Sequence, residues 1–432
     1  MNRTSTRTTR ILTPTTPTPT PSTRAEPQAL SRAIEPLPAE EFLASYWERR
    51  PFVASRNEPG RFDDLLSEAE VERLVCETAI RYPAFRLVKA GAKLDVSDYT
   101  ADVPWRPSPF TGTIDVDRVL AEWEAGATIV LQALHLRRPA ITEFSRDLER
   151  ALGHPVQVNA YYTPRSAQGL PVHHDTHDVF SLQVAGEKRW LVYEPVWPLP
   201  LKKQRYSPAL GEPGEPVLDV TLQPGDTLYL PRGWLHEAMT SATDSLHLTV
   251  GVNVHTWLDA VRAALDECGD DLEFRRAASN DGADALLERL RERLRPAEVE
   301  RRRRERRVRT RNRIRPGQLR SLRALDRLTI ETPVERRGTV PFDLRADGES
   351  VALAFEGKTV VFPAHVRLEV SALAAADGRV RACDLPGELD EAGRLVLVRR
   401  LVREGFLRVS DERRDDPSPR SDGGAPAAEP ST

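Results

Sequence analysis

Between residues 155 and 255, short runs of alternating apolar and polar residues are separated by proline and glycine. A period of two places every second side chain on the same face, which is typical of strands in a sheet with one buried face. Six segments are candidate strands, and the alternation is clearest in the first: VQVNAYYT, VFSLQVAG, KRWLVYE, VLDVTLQ, DTLYLP and SLHLTVGVNV. Many short strands at regular spacing predict a β-sandwich or barrel, and the jelly roll is the version that most often holds a metal.

On both sides of this region the apolar residues recur at helical spacing instead. The segment PAEEFLASYWERRPFVA (38–54) predicts a helix that Pro51 ends. Farther along, Leu286, Leu290 and Leu294 are spaced four residues apart beside dense charge, which is typical of a helix that needs a partner. We therefore expect a helical region after the strands.

The last part of the chain combines both patterns. SVALAFEGKTVVFP predicts a β-hairpin, and two helices and the strand-like LVREGFLRV (401–409) follow it. Helices with a hairpin in a unit of this size predict a winged-helix-like module. The changes in pattern divide the chain into five parts. They are a Thr/Pro-rich disordered tail (1–34), a catalytic jelly roll (35–256), a helical dimerisation region (257–335), a winged-helix-like domain (336–412) and a second disordered tail (413–432).

Composition narrows the class of protein. A hydrophobic content of 40% is sufficient for a packed core, and a net charge of −3 does not by itself indicate nucleic-acid binding. Cys76, Cys268 and Cys383 form no pair motif, which indicates reduced thiols inside a cell. No apolar run reaches the roughly 18 residues that a membrane helix needs. We expect a soluble, cytoplasmic protein.

The N-terminal stretch MNRTSTRTTRILTPTTPTPTPSTRAEP contains no acidic residue before Glu26. Such a composition cannot bury a core, so disorder is the preferred interpretation. A transit peptide would share the basic, hydroxyl-rich character, although the density of proline speaks against one.

Candidate chemistry is concentrated in PVHHDTHDVFSLQV (171–184), where three histidines and two aspartates lie within six consecutive positions. If 172–184 is a strand, His173 and Asp175 point to the same face, roughly 7 Å apart, and can reach one cation. His174 points to the other face, and His177 shares the required face and spacing less well. We therefore expect neither of these two as a ligand.

A third ligand must come from elsewhere, and GDTLYLPRGWLHEA (225–238) supplies His236, 63 residues after His173 (236 − 173). Two histidines and one carboxylate leave positions open on a metal, which suits Fe(II) and O₂ chemistry, with zinc as the competitor. An H-x-D triplet also occurs by chance, and the histidine pair after Pro171 could be polar surface. His247, in SLHLTV, is expected to be a core or supporting histidine.

The segments NAYYTPRSAQGLPVHHDTHDVFSLQVAGEKRWLVYEP and GDTLYLPRGWLHEA together resemble the JmjC-type ribosomal oxygenases, which are cupin-like 2-oxoglutarate enzymes that hydroxylate ribosomal proteins. FLASYWERRPFV resembles their opening helix, and the likeness spans about residues 35–410. It implies a mixed α and β fold: a double-stranded β-helix (jelly roll, cupin/JmjC) core with N-terminal helices, a helical dimerisation region and a C-terminal winged-helix-like domain.

The resemblance also implies roles for residues. His173, Asp175 and His236 match the Fe(II) ligands, with 2-oxoglutarate and O₂ as cosubstrates. Lys188 matches the basic residue that pairs with the distal carboxylate of 2-oxoglutarate, because a dicarboxylate held at one end by a metal needs a cation at the other. The alternative for Lys188, in AGEK, is a lysine at a hairpin tip in solvent.

Two further positions match contacts to the cosubstrate, Asn159 and Tyr161. One position departs from the family pattern, since Gly251 stands where related enzymes often carry a serine near the end of the last core strand. A glycine has no side chain with which to make the contact that such a serine makes.

The function implied is hydroxylation of a protein side chain, an arginine or histidine of a ribosomal protein, by a homodimer without membrane contact. Alternatives are an N-methyl demethylase, a small-molecule hydroxylase, and a non-catalytic cupin scaffold or nucleic-acid-binding protein. RRRRERRVRTRNRIRP, with ten arginines between 301 and 315, leaves nucleic-acid binding open. Nearby acids favour a solvated helix or linker for that run.

Overall fold

A computed structural model describes residues 28–89, 92–277, 282–309, 314–338 and 340–410. The predicted disordered tails fall outside this part of the chain, apart from residues 28–34. That short segment forms a helix whose apolar side is buried against the rest of the protein. Within the described ranges, no helix is both long enough and apolar enough to span a bilayer.

Strands dominate the part of the chain before Trp257. They are β1 Phe52–Ala54, β2 Phe85–Lys89, β3 Ala92–Lys93, β4 Thr100–Val103, β5 Phe110–Ile114, β6 Thr128–Leu131, β7 Val156–Thr163, β8 Asp178–Ala185, β9 Lys188–Tyr193, β10 Leu218–Leu222, β11 Thr227–Leu230, β12 Leu235–Met239 and β13 Ser245–Val252. Helices occur between them: α1 Gln28–Ile34, α2 Ala39–Ser45, α3 Glu68–Glu72, α4 Val96–Tyr99, α5 Val116–Glu124 and α6 Pro139–Leu152. Single 3₁₀ or π turns cover Arg73–Glu77, Leu134–Leu136 and Pro208–Leu210.

Two large antiparallel sheets and a separate two-stranded sheet, β4-β5, form the β-rich unit. The major sheet has the order β1-β11-β8-β13-β7-β6-β2-β3, and the minor sheet has the order β10-β9-β12. Trp190 and Val192 of the minor sheet pack on Leu228 and Leu230 of the major sheet. The interior between the sheets is the space in which a jelly roll holds its site.

The other face of the major sheet is covered by helices. Phe42 on α2 is fully buried and packs on Phe180 and Tyr229, with ring centroids 5.7 and 4.8 Å away. The predicted helix over this region is shorter than expected, since α2 ends at Ser45 and not at Pro51. The chain turns there because Glu48 has a positive φ of 57°.

The six predicted strands correspond to six strands of the structure, while β12 was not predicted. The expected strand over 172–184 is wrong at its start, because β8 begins only at Asp178. Pro171 has no N–H to donate, and residues 172–177 make a single isolated bridge, between His173 and His236. The ligand segment is therefore a loop that leads into a strand.

After β13 the chain is helical, as predicted. The helices are α7 Trp257–Cys268, α8 Ala283–Arg293, α9 Pro296–Arg309 and α10 Gln318–Ala324, with 3₁₀ turns at Leu272–Arg275 and Leu325–Arg327. The arginine-rich run contributes to α9, where Arg302 is 6% exposed and pairs with Glu267 of α7 at 2.7 Å. No side chain of α8 is buried, and Leu287 is 55% exposed. Dimerisation through this region stays a prediction.

A separate apolar core holds the C-terminal unit. Its elements are β14 Val334–Arg336, β15 Phe342–Ala346, β16 Ser350–Phe355, β17 Lys358–Pro363, α11 Arg367–Ala375, β18 Arg379–Val380, α12 Glu391–Glu404 and β19 Leu407–Val409, with 3₁₀ turns at Ala364–Val366 and Ala382–Asp384. The predicted hairpin is present, since β16 pairs with β17. Leu325 and Leu328 also belong to this core, so packing begins before the expected boundary at 336.

Candidate metal and cosubstrate site

Two segments distant in sequence carry the candidate metal ligands. The N–H of His173 donates to the carbonyl of His236 at 3.1 Å, and the N–H of His236 donates back at 2.8 Å. The N–H of Gly233 donates to the carbonyl of Asp175 at 3.1 Å. These backbone hydrogen bonds hold the loop 171–177 against the start of β12. They bring all three candidate side chains to one place.

The three side chains form a compact group of potential ligand atoms. His173, Asp175 and His236 each offer one atom, and these atoms lie within 4.8 Å of one another. Both imidazoles have Nδ1 at a carbonyl, of Pro171 at 2.8 Å and of Trp234 at 3.0 Å. Because a carbonyl only accepts, each Nδ1 carries the proton and each Nε2 presents a lone pair. Two neutral imidazoles and a carboxylate are suitable donors for a divalent metal.

Electrostatics favour the metal-binding protonation states. Burial, followed by the nearby His173, lowers the pKa of His236 to about 4, so its imidazole is neutral at neutral pH. Burial alone would raise the pKa of Asp175, but the surrounding histidines, His177 first, offset it and lower that pKa. The surrounding imidazoles therefore favour the ionised form of the carboxylate.

The remaining histidines of the loop lie outside this group. His174 is buried, and its Nε2 lies 3.0 Å from the carbonyl oxygen of Gln204 while its ring packs edge-on against Tyr206. His177 lies against β13, where a Cβ built on Gly251 would be 3.1 Å from its Cε1 atom. The imidazole of His177 thus occupies the space that a larger residue at 251 would need.

Lys188 begins β9 and points into the interior between the sheets. Its side chain is 4% exposed, and Nζ donates to Oγ1 of Thr163 at 2.9 Å. Among the described residues it forms no ion pair, and burial alone lowers its pKa to about 7. The alternative of a lysine in solvent at a hairpin tip is therefore wrong. A buried amine with unused donors is suited to bind a carboxylate.

Asn159 and Tyr161 lie on β7 together with Thr163, and the period of two places all three on the inner face. Oδ1 of Asn159 accepts from the N–H of Ala133 at 3.0 Å, which fixes the orientation of the amide. Tyr161 stacks on His247 with ring centroids 5.2 Å apart, and burial raises the pKa of its phenol. These side chains line the space toward Lys188.

Two residues that line the interior between the sheets were not predicted. Trp190 lies between His236 and His247, with ring centroids 5.9 and 5.6 Å away. Thr163 is the partner of Lys188. The alternation of β7 could have identified Thr163, and that of β9 could have identified Trp190, because each lies two residues from a predicted site residue. His247 is buried between Tyr161 and Trp190 and lies outside the ligand group, as expected.

A buried cluster of polar groups clamps the two ligand-bearing segments. Oδ1 of Asp178 accepts from the N–H of Arg232 at 2.9 Å and from its guanidinium at 3.3 Å, and Oδ2 accepts from Tyr229 at 3.1 Å. The guanidinium of Arg232 also pairs with Glu48. Burial raises the pKa of Asp178 to about 6 despite these hydrogen bonds. The cluster joins the end of the ligand loop to the turn before β12.

Comparison with known proteins identifies the β-rich unit. Residues 136–260 match the family model of the JmjC domain. The bifunctional lysine-specific demethylase and histidyl-hydroxylase NO66 of Culex quinquefasciatus is 32% identical over 251 residues, covering 56% of this chain and 37% of that protein. Ribosomal oxygenase 1 of Homo sapiens is 30% identical over 274 residues, covering 59% of this chain and 40% of that protein. The chain thus spans about two fifths of the length of these relatives.

Solved structures of the ribosomal oxygenase YcfD from Escherichia coli share the fold. One has a TM-score of 0.54 at 18% identity and covers 87% of this chain and 98% of its own. Another, in complex with cobalt and 2-oxoglutarate, has a TM-score of 0.52 at 19% identity and covers 86% and 98%. These matches confirm the predicted mixed fold with a JmjC-type sheet core. The family model and the sequence relatives confirm the resemblance to ribosomal oxygenases that the sequence motifs indicated.

Proposed function

We propose that this chain, whose residues 136–260 match the JmjC domain, is an Fe(II)- and 2-oxoglutarate-dependent oxygenase that hydroxylates a protein side chain. One observation carries the proposal: a His-Asp-His group shares the interior between the sheets with a buried lysine that has no ion-pair partner in the described part of the chain. A non-catalytic scaffold has no use for either feature, since both cost folding free energy.

His173, Asp175 and His236 would hold the metal. Their three donor atoms leave further coordination positions of a metal open. This arrangement suits Fe(II), which uses open positions for its cosubstrates, better than zinc, which usually has four ligands in total. Bound Fe(II), together with 2-oxoglutarate and O₂, supplies the oxidising power for hydroxylating an unactivated C–H bond. The protein contributes ligand orientation, through the two Nδ1–H donors, and a largely buried pocket.

Lys188 would bind the carboxylate of 2-oxoglutarate that is remote from the metal. Its Nζ uses one donor on Thr163 and has others for an incoming anion. Tyr161 and Asn159 would line the same pocket, the first as a neutral phenol and the second with its amide fixed by Ala133. Because folding has already buried Lys188, binding of the carboxylate adds little further desolvation of the amine.

The proposed substrate is an arginine or histidine side chain of a ribosomal protein. The relatives support this class, since one is a histidyl-hydroxylase and demethylase and others are ribosomal oxygenases. The units after β13 widen the protein around the JmjC domain, which suits a polypeptide better than a metabolite. Removal of an N-methyl group is the second candidate, because the relative NO66 is a lysine-specific demethylase as well as a histidyl-hydroxylase.

Turnover of labelled 2-oxoglutarate tests the proposal. The purified protein with Fe(II) should release CO₂ faster when ribosomal proteins are added, and mass spectrometry should find a +16 Da product. His173→Ala should abolish both metal binding and turnover. His174→Ala is the matched control, since it removes the neighbouring imidazole and should leave metal binding in place.

Some outcomes would reject the proposal. Retained turnover in His173→Ala with loss in His174→Ala would mean that the ligand assignment is wrong. Stimulation by a small metabolite alone, with no oxidised ribosomal peptide, would exclude the protein substrate. A −14 Da product from a methylated peptide would favour the demethylase.

A further inference from the structure

The small sheet β4-β5 presents aromatic rings to solvent. Five large aromatic side chains are strongly exposed in the described part of the chain. Three of them lie at this sheet: Tyr82, Trp105 and Phe110, which are 50, 64 and 44% exposed. The ring centroids of Trp105 and Phe110 are 5.9 Å apart. Because exposed apolar side chains are normally scattered singly, a group of three rings indicates a surface that binds a partner.

The backbone of β5 fixes the position of the tyrosine. The N–H of Tyr82 donates to the carbonyl of Gly112 at 3.0 Å. A Cβ built on Gly112 would lie 3.9 Å from the Cβ of Tyr82. Phe110 is two residues before Gly112 and therefore lies on the same face of the strand. Tyr82 thus lies on the face of β5 to which Phe110 points.

Two exposed arginines accompany these rings. The guanidinium carbon of Arg81 lies 5.6 Å from the ring centroid of Phe110, and Arg106 directly follows Trp105. Neither arginine forms an ion pair within the described part of the chain. The one carboxylate on β4 and β5, that of Asp102, accepts a backbone N–H of β5 at 3.0 Å. The surface formed by the three rings and the two arginines is called the hairpin platform: Arg81, Tyr82, Trp105, Arg106 and Phe110.

We propose that the hairpin platform binds single-stranded RNA. The bases of unpaired RNA stack on exposed aromatic rings, and its phosphates pair with arginine. A basic peptide would also contact the rings, but Arg81 and Arg106 would repel it. An acidic peptide would match the charge, whereas RNA carries both a flat ring and a negative charge in every nucleotide. No metal or cosubstrate takes part, so the proposal is tested separately from the proposed function.

The helical region offers a matched control for the platform. Trp257 is 72% exposed, and the guanidinium carbon of Arg303 lies 5.8 Å from its ring centroid. This pair has the same types of side chain as the platform, at a similar distance. Its arginine, however, pairs with Glu300 at 3.2 Å. An exposed ring beside a neutralised arginine should not hold a strand of RNA, because the carboxylate would repel the phosphates.

The test measures binding of a labelled single-stranded RNA of twelve nucleotides to the full chain by fluorescence anisotropy. Trp105→Ala should weaken binding roughly five- to a hundredfold, as expected for the loss of one stacked base, and Trp105→Phe should retain most of the affinity. Arg81→Gln should reduce the slope of log affinity on log salt by about 0.7. Trp257→Ala and Arg303→Gln should bind like the wild type. Circular dichroism shows whether each variant is folded.

The pattern across these variants distinguishes the platform from general attraction. Affinity that depends on Trp105 and Arg81 but not on Trp257 and Arg303 supports the proposal. No binding to the wild type at about 50 mM salt and up to about 100 μM protein would overturn it. So would unchanged affinity in Trp105→Ala, or equal weakening by Trp257→Ala.

Two further measurements report other occupants of the same surface. If a labelled arginine-rich peptide binds and the RNA does not, the platform is a protein-binding surface and the proposal is wrong. If light scattering shows that Trp105→Ala converts a dimer to a monomer, a second copy of the chain covers the platform, which would also overturn the proposal.

Discussion

Replacing Lys188 with methionine should have opposite effects on folding and on cosubstrate binding. Methionine keeps an unbranched side chain of similar length and removes the charge. In the absence of 2-oxoglutarate, the buried amine is a cost to the folded protein, because burial lowers its pKa to about 7 from 10.5. With the cosubstrate bound, we expect the same amine to contribute to affinity.

The effect on folding can be worked out from that pKa. One pKa unit corresponds to about 1.4 kcal/mol, so the shift corresponds to roughly 5 kcal/mol below pH 7. Loss of the hydrogen bond to Thr163 offsets about 1–3 kcal/mol of this. Lys188→Met should therefore raise the free energy of unfolding by roughly 2–4 kcal/mol.

The sign of the pH dependence follows from proton binding. Between pH 7 and 10.5 the unfolded chain binds more protons than the folded one, so the stability of the wild type rises with pH across that window. The advantage of Lys188→Met should be largest below pH 7 and shrink as pH rises toward 10.5. Urea denaturation at several pH values measures it.

Binding of 2-oxoglutarate should change in the opposite direction. Loss of a charge-assisted hydrogen bond costs about 1.5–3 kcal/mol, which is roughly a ten- to a hundredfold loss of affinity. The amine must be protonated to attract the carboxylate, so above pH 7 the Kd of the wild type should rise up to about tenfold per pH unit. The Kd of Lys188→Met should lack this dependence.

Calorimetric titration of the Mn(II)-loaded protein between pH 6.5 and 8.5 measures the affinity. The matched control is Arg189→Met, which removes a charge from the next residue, an exposed arginine paired with Asp219 at 2.6 Å. It should change neither affinity nor its pH dependence. If Lys188→Met loses stability, or binds 2-oxoglutarate as the wild type does, the reasoning is refuted.

Three further predictions concern other parts of the chain. Arg232→Gln should lower the free energy of unfolding, measured by urea denaturation, by about 3–5 kcal/mol, because it leaves Asp178 buried without its cation. A decrease of less than about 1 kcal/mol would contradict this. Gly251→Ser should lower the free energy of unfolding by about 1–3 kcal/mol, since the new Cβ would lie 3.1 Å from the imidazole of His177. In a double-mutant cycle, adding His177→Ala should restore part of that loss. Leu290→Glu should convert a dimer to a monomer in light scattering, and a monomeric wild type would contradict the predicted dimer.

Periodicity predicted most of the β-rich unit correctly, because burial of one face imposes alternation on the sequence itself. The segment VQVNAYYT corresponds to β7 from Val156 to Thr163. The prediction failed where burial does not alternate between successive residues. β12 was not predicted since its exposure changes from buried to half-buried along the strand. The loop that carries His173 resembled a strand because one bridge to His236 holds it extended.

The sequence by itself determined the chemical groups of the site: two histidines and an aspartate in two motifs, a lysine after a tight turn, and the resemblance that relates them. Only the tertiary structure decided what surrounds each group. It buried Lys188 without a counter-charge among the described residues, and it placed His177 against Gly251. The reason is physical: desolvation and electrostatic interaction depend on which residues are close in space. In a jelly roll those residues come from strands that are far apart in the chain.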